Sequence, residues 1–198
     1  MIKIKKISST ELNQLEEIGK FLFKTIKTYH DWPKPGVDFK DIQSLLIEPK
    51  FSQQVATGLQ IMLPRDEHNE FVFNKILAFD ARGFIFGGNL AISNNIPLIL
   101  ARKPGKLPGE LITQEFDKEY GKDSIGVQIG LIQPGDRILI HDDLLATGGT
   151  SAAAAKIIKD LGAHIVGFHF IMELPALAGR KVLEQYVSKE QITSLISC

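Results

Sequence analysis

The sequence predicts an α/β protein with a mainly parallel sheet covered by helices on both faces. Short apolar runs, "KILAF", "IPLILA", "RILIH" and "HIVGFHFIME", alternate with stretches of helical spacing. "RILIH" carries little polarity, as expected of a central strand buried on both sides. The chain has 198 residues, 44% hydrophobic and 23% charged, enough for one domain with a sizeable core.

The elements follow in order. "STELNQLEEIGKFLFKTIKTY" has Leu12, Leu15, Ile18, Leu22 and Ile26 at helical spacing, and Ser8 with Glu11 predicts a capping box at its start. Two prolines in "DWPKPGVDFKDI" break any helix there. A second helix is predicted over Phe51 to Leu63, and "RDEHNE" reads as a polar loop. "KILAF" is a strand ending at Asp80, "GFIFGGNLAISNN" a helix, and "IPLILA" a strand. Arg102 to Tyr120 is rich in Lys, Pro, Gly and Glu without clear periodicity, which predicts a long loop. "IGVQIGLI" alternates like a strand. "RILIH" is the next strand, "TSAAAAKIIKDLG" a helix stopped by Gly162, and "HIVGFHFIME" a further strand.

Bulk properties exclude several function classes. Lys and Arg total 23, as do Asp and Glu, so no global field favours nucleic acid or an anionic membrane. The lone cysteine, Cys198, permits no internal disulfide, which suits a reducing compartment. No apolar run is long enough to span a membrane, and the alternating Ile and Lys at the start are unlike a signal peptide. A cytoplasmic protein is expected.

The chemistry concentrates in "LIHDDLLATGGTSAAAA", Leu139 to Ala155. A strand runs into Asp142 and Asp143, then a small-residue turn, Ala146 to Thr150, then a helix. Ligands of open α/β sheets sit outside the carboxyl ends of strands. The first turn of a helix offers unpaired N–H groups and a positive dipole end, and Gly148 and Gly149 let the backbone curl around a tetrahedral anion. Thr147, Thr150 and Ser151 add hydroxyl donors. The turn therefore suits a phosphate monoester. The two acids must face hydroxyl groups or a hard cation. A ribose 5-phosphate satisfies both halves. Neither GxxxxGK[ST] nor the dinucleotide-binding G-x-G-x-x-G occurs.

"ILIHDDLLATGGTS" resembles the phosphoribosyl pyrophosphate motif of type I phosphoribosyltransferases, in the form typical of the adenine phosphoribosyltransferase family. "DWPKPGVDFKDI" resembles that family's adenine-site segment, "DARGFIFG" its pyrophosphate loop, "RKPGKLPGE" with "EYG" its mobile catalytic loop, and "MELPALAGR" the segment after its last core strand. The resemblance covers nearly the whole chain in the family's order. It implies the type I phosphoribosyltransferase fold, with a parallel sheet of about five strands, within the ordinary size range. It also implies a single domain over 1–198, a small N-terminal hood around 30–45, and a mobile loop about 102–121. The implied reaction is transfer of the phosphoribosyl group from phosphoribosyl pyrophosphate to adenine, giving AMP and pyrophosphate. Mg²⁺ and a homodimer are implied too, with no nucleic acid or membrane as partner.

Residue roles come from the same resemblance. Asp142 and Asp143 hold the ribose hydroxyls, directly or through Mg²⁺. Ala146, Thr147, Gly148, Gly149 and Thr150 cradle the 5-phosphate. Asp80-Ala81-Arg82-Gly83, Ala81 and Arg82 above all, holds pyrophosphate, with a cis peptide implied at Ala81–Arg82. Arg102, Lys103 and Lys106 add positive charge, Glu119 is a general acid or base near the purine, and Tyr120 packs the closed loop. Phe39 and Leu174 flank adenine, and backbone groups of Asp38 and Lys40 read its edge. The family commonly has an apolar residue where this chain has Asp38, arginine at Lys40 and glutamate at Gly126. His164 and His169 read as structural, Trp32 and Met172 as packing. Alternatives on the residues are transfer to another purine base, a non-catalytic sensor of phosphoribosyl pyrophosphate, and a structural protein that kept the fold.

Overall fold

The computed structural model describes residues 3–118 and 121–198. A five-stranded sheet lies at its centre, ordered β4-β3-β7-β8-β9. Here β3 is Lys75–Phe79, β4 Leu98–Ala101, β7 Arg137–Leu145, β8 His164–Glu173 and β9 Ile192–Ser197. All four pairings are parallel. Helices α1 (Ser9–Phe23), α2 (Pro49–Ile61) and α3 (Gly83–Asn94) cover one face. Helix α4 (Gly149–Asp160) covers the other, and the short α5 (Gly179–Leu183) packs beside it.

Side-chain alternation along β7 divides the core. Ile138 and Ile140 join the cluster with Ala154, Ile157 and Phe168 under α4. Leu139 joins Leu22, Leu59, Leu90 and Ile171 beneath the first three helices. This is the two-sided burial that "RILIH" predicts. The capping box forms as expected: the Ser8 hydroxyl accepts from Glu11 N, and Ser8 N donates to Glu11 Oε2 at 2.8 Å. Gly19 lets α1 lie against the edge strand, since a β-carbon there would stand 2.8 Å from Leu195 O.

The structure departs from the predicted elements in four places. Helix α1 ends at Phe23, six residues early, and the chain enters β1 (Lys27–Tyr29), which pairs with β2 (Phe39–Asp41) in an antiparallel hairpin. Half of the predicted loop is a strand, β5 (Leu111–Lys118), paired with β6 (Gly121–Gln128). Its Ile112, Gln114 and Phe116 face inward with exposed Thr113 and Glu115 between them, an alternation masked by polar residues. Of "IGVQIGLI" only "IGVQ" is strand, and it belongs to a separate two-stranded sheet. The unpredicted β9 takes its place as fifth strand of the central sheet. Finally, β7 continues through Asp142 and Asp143 to Leu145, because Asp142, Leu144 and Leu145 remain in register with Phe170, Met172 and Glu173 of β8.

Candidate active site

The strand order reverses between β3 and β7: from β3 the chain crosses to β4 on one side, whereas β7 lies on the other. The carboxyl ends of β3 and β7 thus flank a crevice of the kind in which α/β sheets bind ligands. A cavity of about 220 Å³ occupies it, lined by Asp80, Arg82, Arg102, Lys103, Asp142 and Thr150 among others.

Two loops meet tightly at its base. A β-carbon on Gly83 would stand 2.7 Å from Asp142 Oδ1, so glycine at the start of α3 lets the helix approach the acid. Asp142 Oδ1 also accepts a hydrogen bond from Asp143 N at 2.9 Å. Arg82 Nε lies 2.9 Å from Asp143 Oδ2, which otherwise has no hydrogen-bond donor. Burial and the adjoining carboxylate of Asp143 push Asp142 well above the usual carboxylate range. Burial raises Asp143 as well, against the pull of Arg82.

The glycine turn has the predicted form. Gly148 precedes α4 with φ +81°, and no side chain caps the helix, so its first N–H groups point to whatever occupies the turn. A β-carbon on Gly148 would also meet Gly179 O at 2.8 Å, so the turn rests on the backbone at the start of α5. Thr147 is exposed and Thr150 lines the cavity. Ser151 is buried, 3% exposed, and packs inward instead of facing a ligand.

Cations and acids alternate around the rim. Lys106 Nζ is 2.9 Å from Asp80 Oδ2, Arg102 Nη2 is 3.4 Å from the same oxygen, and Lys103 Nζ is 2.8 Å from Asp123 Oδ2. The hydrogen bond from Lys106 holds Asp80 below its ordinary pKa. Asp123, on β6, was not predicted as a site residue; only pairing of β5 with β6 brings it to the cavity. Gly126 is where the hairpin is stitched to the Arg102 segment, with Arg102 N donating to Gly126 O at 3.0 Å and Gly126 N to Arg102 O at 2.7 Å. A β-carbon at Gly126 would press on Thr113 Cγ2 at 3.3 Å.

The non-proline cis bond lies between Asp80 and Ala81, one peptide before the expected Ala81–Arg82 bond. Phe39 is half-buried on β2, its ring 5.5 Å from the Arg82 guanidinium and edge-on to Trp32 at 4.4 Å. Trp32 is 53% exposed, whereas Met172 is fully buried as expected. The side chain of Asp38 accepts from His30 Nδ1 at 2.7 Å, and Lys40 Nζ donates to Thr28 Oγ1 at 3.0 Å. Leu174 follows β8 and its N–H donates to Leu145 O at 2.9 Å. None of Asp38, Phe39, Lys40 and Leu174 lines the cavity of the charged residues. Glu119 and Tyr120 lie outside the described residues.

A buried histidine pair underlies the acids. His141, next to Asp142, and His169 pair across β7 and β8 with Nδ1 atoms 3.2 Å apart, and His169 Nε2 is 3.1 Å from Leu59 O. A carbonyl only accepts, so His169 carries its proton on Nε2. His169 Nδ1 then accepts from His141 Nδ1, leaving the buried His141 Nε2 without a partner. Desolvation holds both rings neutral, His169 down to about 4. His169 is structural, as predicted; His164 is exposed at the start of β8.

A relative from Escherichia coli O157:H7 named adenine phosphoribosyltransferase is 41% identical over 174 residues, 88% of this chain and 90% of its own length. The chain belongs to the adenine phosphoribosyltransferase family. Solved members of the adenine phosphoribosyltransferase family share the fold. The enzyme from Thermoanaerobacter pseudethanolicus matches with a TM-score of 0.81 and 40% identity, over 93% of this chain and 99% of that one. The Saccharomyces cerevisiae enzyme, solved with an imino-altritol bisphosphate and adenine, matches with a TM-score of 0.82 and 31% identity, over 91% and 99%. No protein-family model matches the chain.

Proposed function

We propose that the protein transfers the 5-phosphoribosyl group of phosphoribosyl pyrophosphate to adenine, giving AMP and pyrophosphate. The observation that carries this reading is the crevice between β3 and β7, where the glycine turn before α4 adjoins two acids and a ring of cations. The yeast relative holds adenine and a sugar-like bisphosphate. One ligand with a 5-phosphate, ribose hydroxyls and a pyrophosphate uses all three groups at once.

In this reading Ala146 to Thr150 receive the 5-phosphate, mainly through amides of the α4 terminus. Asp142 and Asp143 accept from the ribose hydroxyls. Ala81, Arg82, Arg102, Lys103 and Lys106 take the pyrophosphate and stabilise charge developing on it as it leaves. Phe39 and Leu174 flank the purine. The side chains of Asp38 and Lys40 are engaged within the hairpin, which suits readout of the base through their backbone. Glu119 serves as general acid or base and Tyr120 packs the closed loop, roles that rest on resemblance alone. With no covalent nucleophile required, positioning supplies most of the rate.

Mg²⁺ fits the acid pair. Beyond its ion-pair contact with Arg82 the buried Asp143 Oδ2 has no hydrogen-bond partner, and Asp142 is destabilised as an anion by burial and its neighbour, so a hard cation would relieve both. Among the described residues no three His, Cys, Asp or Glu converge on a metal site, so substrate oxygens would complete the shell. When bound, the ion supplies charge neutralisation for the departing pyrophosphate. The reading further takes residues 30–45 as a hood, 102–121 as a loop that closes over substrate, and the protein as a cytoplasmic homodimer. Incubating purified protein with phosphoribosyl pyrophosphate, Mg²⁺ and adenine, with hypoxanthine and guanine in parallel, tests the function. AMP should form, and no nucleotide from any base would refute it.

A further inference from the structure

The cavity carries as many acids as bases: Arg82, Arg102, Lys103 and Lys106 against Asp80, Asp123, Asp142 and Asp143. Each cation already touches a carboxylate. Asp142 and Asp143 have a role toward ribose. Asp123 has no assigned role, and the Asp80 carboxylate, although it belongs to the "DARG" loop, cannot itself attract an anion, yet the two hold all three cations of the 102–106 segment.

The two sides of these contacts differ in freedom. The side chains of Asp80 and Asp123 are only 13% and 14% exposed, and both line the cavity, one just past β3 and the other on β6. The Lys103 and Lys106 side chains are 59% and 54% exposed on a turn with Gly105 at φ +86°. The acids are fixed and the lysines can swing. Asp123 is oriented further by Ser124 N, which donates to its Oδ1 at 2.9 Å. An incoming pyrophosphate must take these cations from their acids and sit against the acids' charge. Both effects weaken its binding, and both reverse as it leaves.

We propose that Asp80 and Asp123 are resident counter-ions that hold Lys106, Arg102 and Lys103 over the cavity, compete with pyrophosphate for them, and so speed its release. They are positioning residues acting through the cations. This rests on the reading that the cavity takes pyrophosphate.

Calorimetric titration with inorganic pyrophosphate at fixed Mg²⁺ tests it. Asp123→Asn keeps the shape and removes the charge. It should bind pyrophosphate about tenfold more tightly, equivalent to about 1.4 kcal/mol. Its kcat should fall, with KM for phosphoribosyl pyrophosphate falling in parallel, because release is slowed. In Lys103→Met the further Asp123→Asn change should give no such gain, since the cation is gone. Asp80→Asn is an independent arm should the first variant fold poorly. Equal or weaker pyrophosphate binding in both Asp variants overturns the counter-ion role and makes these acids part of the binding set. A wild-type protein that neither binds pyrophosphate nor makes AMP would instead overturn the function on which the proposal rests.

Discussion

The α-carbon of Gly83 faces the carboxylate of Asp142 so closely that a β-carbon would stand 2.7 Å from Oδ1 and 3.3 Å from the Asp142 α-carbon. The start of α3 and the end of β7 are therefore set against each other by the absence of one methyl group. Gly83→Ala should displace Asp142 and lower kcat/KM roughly 100-fold, the cost expected of a misplacement near 1 Å. Steady-state kinetics with circular dichroism checks this; near-wild-type kcat/KM in a folded variant would show that Asp142 need not be fixed.

Gly148 has φ +81° and abuts Gly179 O. Gly148→Ala should cost about 1–3 kcal/mol from backbone strain alone. It should also raise KM for phosphoribosyl pyrophosphate about tenfold by disturbing the turn proposed to receive the 5-phosphate. Denaturant unfolding and initial rates measure the two effects separately.

Arg180 locks the floor under that turn. Its Nη2 and Nε donate to Glu173 Oε2 at 2.5 and 3.2 Å, and Nη1 donates to Ile192 O at 2.5 Å, tying α5 to β8 and β9. Arg180→Ala leaves Glu173 largely buried without its cation, and the expected loss is about 1–3 kcal/mol, tempered by the partial exposure of Arg180. A thermal midpoint unchanged within error would contradict it.

The histidine pair sets an acid limit. Both rings have folded-state pKa values below the unfolded value of 6.5, His169 at about 4. The unfolded chain therefore binds more protons below pH 6.5, and stability rises with pH through that window. The contribution is intact above about pH 6.5 and is lost as pH falls toward 4, with a limiting slope of about 1.4 kcal/mol per pH unit per ring. Urea unfolding between pH 7.5 and 4.5 reads the slope. NMR should show neither imidazole titrating near 6.5, and a normal titration of either would refute their buried neutral state.

Much of the site was legible because its parts are local. The strand, acid pair, glycine turn and helix from Arg137 to Asp160 are contiguous, and their order alone implies an anion at the helix terminus beside hydroxyl groups or a cation. The Ser8–Glu11 box, the prolines of 31–42 and Gly162 after α4 likewise act within a few residues. Resemblance singled out "DARG" but placed its cis bond one peptide late.

Tertiary structure decided what depends on partners distant in sequence. Strand β9 joins the central sheet and β6 does not, although "IGVQIGLI" alternates more clearly than "ITSLIS", because membership follows from which edge each strand can reach. Asp123 enters the cavity only when β6 pairs with β5, and His141 meets His169 only through the register of β7 on β8. Periodicity along the chain reports which face a residue takes, since backbone geometry fixes that locally. It says nothing of which residue stands opposite, because that depends on strand pairing across the whole molecule.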